Sequence, residues 1–281
     1  MRNILSVLGA LFAGVAFAGE VNPFFAMDTI ARGGSEKVVP LLKELGYAGL
    51  GGAPGDAKMA EALRAAGLHY FNGYLTLNFA SARSALDDAL KQKIDAMKGH
   101  DSALWMAISR VETDAGPVAN SSATGDDVVL KKLGEIADYA EPRGVKIALY
   151  PHTGSWLERV EDAIRLADKM NRASVGVTFN LCHWLKVEGS ERDPAPVLRA
   201  ALPRLMFVTI NGADTGDTKA MGWDRLIRPL GQGSYDVGAF LKTLRQIGYA
   251  GPIGFQGYGI KEDPALVLKE TMAAWRQFQQ P

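Results

Sequence analysis

Eight times along this chain a short apolar run is followed by an amphipathic helical run, and several of the helices are cut off by a glycine. That alternation constrains the fold more than any single residue, because strands joined by helices lie parallel in one sheet. The apolar runs are 23–28, 47–52, 68–77, 103–109, 145–150, 175–179, 205–210 and 252–255. The first helix, from Ser35, sets Val38, Val39, Leu42 and Leu45 on one face and stops at Gly46. Asp56 opens the second, which Gly67 closes, and the others cover 84–98, 126–143, 156–171, 194–202, 235–247 and 264–278. Residues 113–125, rich in Ala, Gly, Ser and Asp, read as a long loop. Eight strand–helix units in about 260 residues match a (β/α)8 barrel in size. The alternative is an open doubly wound sheet, which usually carries a glycine-rich phosphate loop after its first strand. Gly33-Gly34 lacks the G-x-G-x-x-G spacing that such a loop needs.

The first residues do not fit the alternation. Arg2 is basic, 4–15 is an apolar run, and Ala16-Phe17-Ala18 has the A-x-A form of a cleavage site. Residues 1–18 are therefore expected to be a secretory signal peptide and 19–281 the folded domain. The apolar run is short for a membrane span, and no later stretch is apolar enough, so no membrane association is expected after cleavage. Removing 18 residues from 281 leaves about 263, which suits one large domain. Lys plus Arg and Asp plus Glu number 31 each, and no basic patch stands out, which argues against a nucleic-acid partner. Cys182 is the single cysteine and rules out an internal disulfide. One thiol in an exported chain fits a periplasm-like compartment.

In a barrel of this type the chemistry lies at the carboxyl ends of the strands. Here those ends carry Asp28, Gly51-Gly52, Asn72 and Tyr74, Arg110 and Glu112, Tyr150 and His152, Asn180 and His183, Thr209 and Asn211, and Gln256 and Tyr258. The ring is rich in hydrogen-bonding groups and poor in formal charge, which suits a neutral polyhydroxy ligand. Tyr74, Trp156, Trp184 and Tyr258 offer flat faces to a sugar ring, although packing is the better explanation for any one of them.

Several of these ends also carry a resemblance. Tyr150-Pro151-His152, Phe179-Asn180-Leu181-Cys182-His183, Thr209-Ile210-Asn211 and Gly231-Gln232-Gly233-Ser234-Tyr235-Asp236 fall in the order and spacing of the xylose isomerase-like TIM barrel superfamily, which includes sugar epimerases and endonuclease IV-type enzymes. The chain resembles that family most specifically from Val145 to Gln256. The resemblance implies a single-domain TIM barrel and a sugar substrate. It also implies a divalent metal held by Glu, Asp, His and Glu, but this chain has Tyr150, Asn180, Thr209 and Gln256 at those positions. A divalent cation needs anionic or imidazole donors to offset its lost hydration, so no metal and no other cofactor is expected. A relocated divalent metal on His152 and His183, which would still need a third strong ligand, stays open as a lesser alternative.

Without a metal, proton abstraction next to a carbonyl needs a side-chain base and donors for the developing oxyanion. His152, His183 and Tyr150 are the expected catalytic residues, because imidazole titrates near neutral pH and a phenol donates. Asn180, Asn211, Gln256, Arg110, Glu112, Asn72 and Trp184 are the expected substrate-binding residues. The expected function is thus an exported, periplasmic sugar isomerase or epimerase, or a related lyase, acting on a small neutral carbohydrate. The alternative is a metal-free carbohydrate-binding barrel that has lost catalysis.

Overall fold

The computed structural model describes residues 22–280, so the segment read as a signal peptide lies outside the described residues. Eight strands run β1 (Phe24–Met27), β2 (Gly49–Gly52), β3 (His69–Ala80), β4 (Ala103–Thr113), β5 (Lys146–Leu149), β6 (Val175–Asn180), β7 (Leu205–Ile210) and β8 (Ile253–Phe255). Each pairs in parallel with the next, and β8 pairs with β1, setting Phe24 beside Ile253 and Ala26 beside Phe255. The sheet therefore closes into a single-domain eight-stranded parallel barrel. Between and after the strands lie α1 (Ser35–Leu45), α2 (Ala57–Ala65), α3 (Asp88–Ala96), α4 (Asp126–Ala140), α5 (Val160–Met170), α6 (Leu181–Glu188), α7 (Ala195–Ala201), α8 (Trp223–Leu226), α9 (Val237–Gln246) and α10 (Pro264–Phe278). None of the helices among the described residues is long and apolar enough to cross a membrane.

Period-two alternation along each strand divides the core into two layers. Phe24 and Ala26 pack outward under the helices, while Phe25 and Met27 point into the barrel. The barrel interior is filled by aromatic rings. Phe25 stacks on Phe71 at 4.7 Å, and Trp105 lies between Tyr150 at 4.8 Å and Phe207 at 6.0 Å. The Trp105 indole N–H donates to Thr178 Oγ1 over 2.9 Å, which satisfies its one polar atom. Phe25 has room because its neighbour on β8 is Gly254, where a Cβ would lie 2.4 Å from the ring. This plug leaves no pore and pushes any ligand site up to the strand ends.

The elements follow the sequence pattern, with three differences. First, β3 and β4 continue past the barrel rim as a paired ribbon as far as Ala80 and Glu112. Gly116–Pro117 then folds back antiparallel onto Glu112 and Thr113, so the expected loop begins as a hairpin. Second, the helix expected from Trp156 begins only at Val160. Trp156 is buried in the preceding loop, its backbone N–H donating to Ser109 O. Third, residues 181–188, which none of the expected elements covers, form α6, because Asn180 caps the helix by accepting the His183 backbone N–H over 3.3 Å.

Candidate active site

At the carboxyl ends of the strands lies a cavity of about 340 Å³. Its wall includes His152 and His183, whose rings meet at 4.1 Å between centroids. His183 is on the first turn of α6, and His152 is three residues past β5. The turn Thr153-Gly154 brings the two together, with Gly154 at φ 78° supplying the left-handed residue. Thr153 also assigns the tautomers. Its carbonyl can only accept, so the His152 Nδ1 facing it at 3.0 Å is the protonated nitrogen. Its backbone N–H donates to His183 Nδ1 at 3.4 Å, so His183 carries its proton on Nε2. Neither Nε2 hydrogen-bonds to another described residue. The pair thus offers one free lone pair, on His152, and one free N–H donor, on His183.

Burial keeps both rings neutral. It pushes the His183 imidazole well below its ordinary value, and the nearby His152 adds to the shift. Burial also lowers His152, opposed by its bond to the Thr153 carbonyl and by Glu158. Tyr150, buried at the top of the aromatic plug, is pushed far up by burial and stays a donor. Its oxygen accepts from Asn180 Nδ2 over 3.1 Å, which leaves its own proton available. The other amide atom of Asn180 accepts from Cys182 Sγ at 2.9 Å and from the His183 backbone. Gln256 Oε1 accepts from Thr29 Oγ1 at 2.8 Å and from the Tyr258 backbone at 3.1 Å, so its N–H groups are left to face the Tyr150 hydroxyl and the cavity. The cavity wall therefore combines donors from His183, Tyr150 and Gln256 with an acceptor on His152.

The other expected residues sit elsewhere. Asn180 is buried behind Tyr150 and positions it. Asn211 is buried outside the cavity wall, with Nδ2 donating to Gly212 O at 2.8 Å and Leu226 O at 2.6 Å. It closes the loop after β7. Asn72 is fully buried in the barrel, with neither amide atom bonded to a described residue. Arg110 and Glu112 do not line the cavity. They are exposed on the part of β4 that overruns the rim. Trp184 also lies outside the cavity wall, because α6 turns it outward against Phe179, with Arg192 over its ring at 5.0 Å.

Trp223 and Ile227, which the sequence reading missed, do line the cavity. Both come from the loop between β7 and α9. Trp223 stands edge-on to His183 at 5.4 Å, and Lys186 of α6 holds the loop by donating to Met221 O over 2.7 Å. Tyr74 and Tyr258 also line the wall, while Trp156 does not. A second cleft of about 680 Å³ adjoins at Ile227, but its two arginines, Arg225 and Arg228, are bound to Asp214 at 2.8 and 3.0 Å.

The resemblance would place a divalent metal at positions 150, 180, 209 and 256. They hold a phenol kept protonated, two amides and the buried hydroxyl of Thr209. One amide has both its atoms engaged by protein, and the carbonyl of the other is doubly engaged. Among the described residues no group of three or more His, Cys, Asp or Glu side chains is placed to hold a metal ion. This donor set does not fit a divalent cation.

A model of the xylose isomerase-like TIM barrel family matches residues 39–278, nearly all of the described chain. The chain belongs to that family. Among curated proteins it is similar to the 3-dehydroshikimate dehydratase of Pseudomonas aeruginosa, 27% identical over 59% of this chain and 25% of that protein. It is also similar to the L-ribulose 3-epimerase of a Methylomonas species, 26% identical over 57% of this chain and 51% of that protein. The matches thus span a quarter to a half of those relatives' length. Among solved structures it resembles the IOLI protein with a bound zinc atom, with a TM-score of 0.70 and 18% identity over 91% of this chain and 96% of that one. At that identity the likeness is one of fold.

Proposed function

We propose that the protein interconverts isomers or epimers of a small neutral carbohydrate, or carries out a related elimination, by acid–base chemistry without a divalent metal. The observation that carries this reading is the His152–His183 pair, with opposite tautomers facing one small cavity. His152 Nε2 removes the proton next to a carbonyl. The His183 N–H, the Tyr150 hydroxyl and the Gln256 amide donate to the oxygen on which charge develops. Isomerisation, epimerisation and dehydration of a ketone all begin with this step, and the names of the relatives above span epimerase and dehydratase. The donors are fixed by protein partners before substrate arrives, which is what makes such stabilisation effective.

The test is turnover of ketohexoses, L-ribulose and keto-inositols by protein purified without added metal, with metal content measured in parallel. His152→Gln should lower turnover by about a hundred- to ten-thousand-fold, the usual worth of a general base. Turnover left intact by combined His152→Ala and His183→Ala substitutions would refute the reading. So would a stoichiometric metal needed for activity, as regards metal independence.

One observation favours a second reading, a sugar-binding barrel without turnover. Asn180 and Gln256 keep the shape of family carboxylates but have settled into neutral bonds with the protein. Calorimetric binding of a ketose with no product on long incubation would select it. We also propose that residues 1–18 direct export to the periplasm, for which N-terminal sequencing of protein from fractionated cells is the check.

A further inference from the structure

Asp28 follows the last residue of β1, and β1 stands four places from β5 in the ring of eight. It therefore lines the cavity across the barrel from His152, and it also borders a smaller cleft with Arg32, Asp56 and Tyr70. It is the one carboxylate on the cavity wall among the described residues. It makes no ion pair among the described residues, and the hydrogen bond it accepts comes from the Thr29 backbone rather than from a side chain. Arg32 lies near enough to act on it but is not bound to it. An unpaired, half-buried carboxylate facing a ligand cavity serves no evident packing purpose. Burial raises it above the ordinary carboxylate value and so favours the proton-carrying form, opposed by the Thr29 backbone bond and by Arg32.

We propose that Asp28 is the second acid–base group of the site, so that the reaction is epimerisation at the carbon next to a ketone. The proposal rests on the isomerase or epimerase reading above and narrows it. On one face His152 Nε2 takes the proton, the C–H electron pair forms the enolate double bond, and the carbonyl π pair moves to oxygen. On the other face the Asp28 carboxyl gives its proton to the same carbon, and the carbonyl re-forms. His152 then loses its proton to solvent and Asp28 regains one. In the reverse direction the two exchange roles. The cycle is redox-neutral and needs no co-reactant. A one-base site would return the proton to the face it left, whereas two groups on opposed faces invert the centre.

The experiment is proton exchange in D2O, followed by NMR and mass spectrometry, with D-fructose, D-allulose, L-ribulose and a keto-inositol as probes. Wild-type protein is expected to form the epimer of one probe with deuterium at the inverted carbon. Asp28→Asn, which keeps the side-chain shape, is expected to lose the epimer by at least about a hundredfold while still exchanging deuterium into that probe with retention. Asp28→Glu should restore part of the inversion, which separates loss of a proton carrier from loss of fold. Full epimerisation by Asp28→Asn overturns the proposal alone. Loss of exchange and inversion together in Asp28→Asn, at an unchanged melting temperature, also overturns it. No exchange of any probe by wild-type protein overturns the parent reading and this proposal with it.

Discussion

His183 is the residue whose chemistry the fold changes most. In the unfolded chain it takes a proton near pH 6.5, while in the folded protein burial and His152 hold it neutral far below that. A depressed imidazole costs nothing above its unfolded value. As pH falls through that value the unfolded chain gains a proton that the folded protein refuses, so stability declines. Melting temperature is expected to drop between pH 7 and 5, with a slope approaching about 1.4 kcal/mol per pH unit for each such histidine. His183→Asn should flatten the drop, and an unchanged slope would contradict the burial argument. His152, His183, Tyr150 and Gln256 could be read as cavity residues from sequence because each ends a strand or follows one closely. Arg110, Glu112 and Trp184 could not be placed, because the direction of a side chain depends on where pairing stops and where a helix starts. The pattern gives both only to within a few residues.

Among the elements, the loop from 211 to 236 does most to shape the cavity and left the least trace in the sequence. It has no apolar period, and Trp223 sits in it on a helix of four residues. What holds it is a backbone bridge between Gly212 and Arg228, the Lys186 bond to Met221, and two left-handed glycines, Gly231 at φ 91° and Gly233 at φ 90°. The Gly231-to-Asp236 segment thus has a structural job, ending in Asp236 as the cap of α9. A Cβ at Gly233 would lie 2.1 Å from Ala213 O, a backbone atom that cannot step aside. Gly233→Ala is expected to cost more than the roughly 1–2 kcal/mol of left-handed strain and to weaken ligand binding. Gly216→Ala, in the same loop with open space around it, should cost the strain alone. Comparing the two by melting and calorimetry checks whether this loop holds the cavity wall.

For the whole molecule the decisive event is closure of β8 onto β1, the pairing with the longest sequence separation. The last helix secures it. Trp275 of α10 stacks flat on Phe24 of β1 at 4.2 Å, and Tyr47 donates to Leu268 O at 2.8 Å. Trp275→Ala is expected to cost about 3–5 kcal/mol in denaturant unfolding while leaving ligand affinity unchanged, since the residue is far from the cavity wall. This level of organisation was the most legible in the sequence. Eight strand–helix repeats, punctuated by Gly46, Gly67, Gly144 and Gly248, admit few arrangements, and closing the sheet pairs the first strand with the last. The five tryptophans divide along the same line. Trp105, Trp156, Trp184 and Trp275 are sealed in the core, while Trp223 is half-exposed at the cavity and touches His183. The protein therefore carries its own optical gauge: four indoles with steady blue emission, and one whose brightness and colour register the arrival of a sugar or the charging of an imidazole.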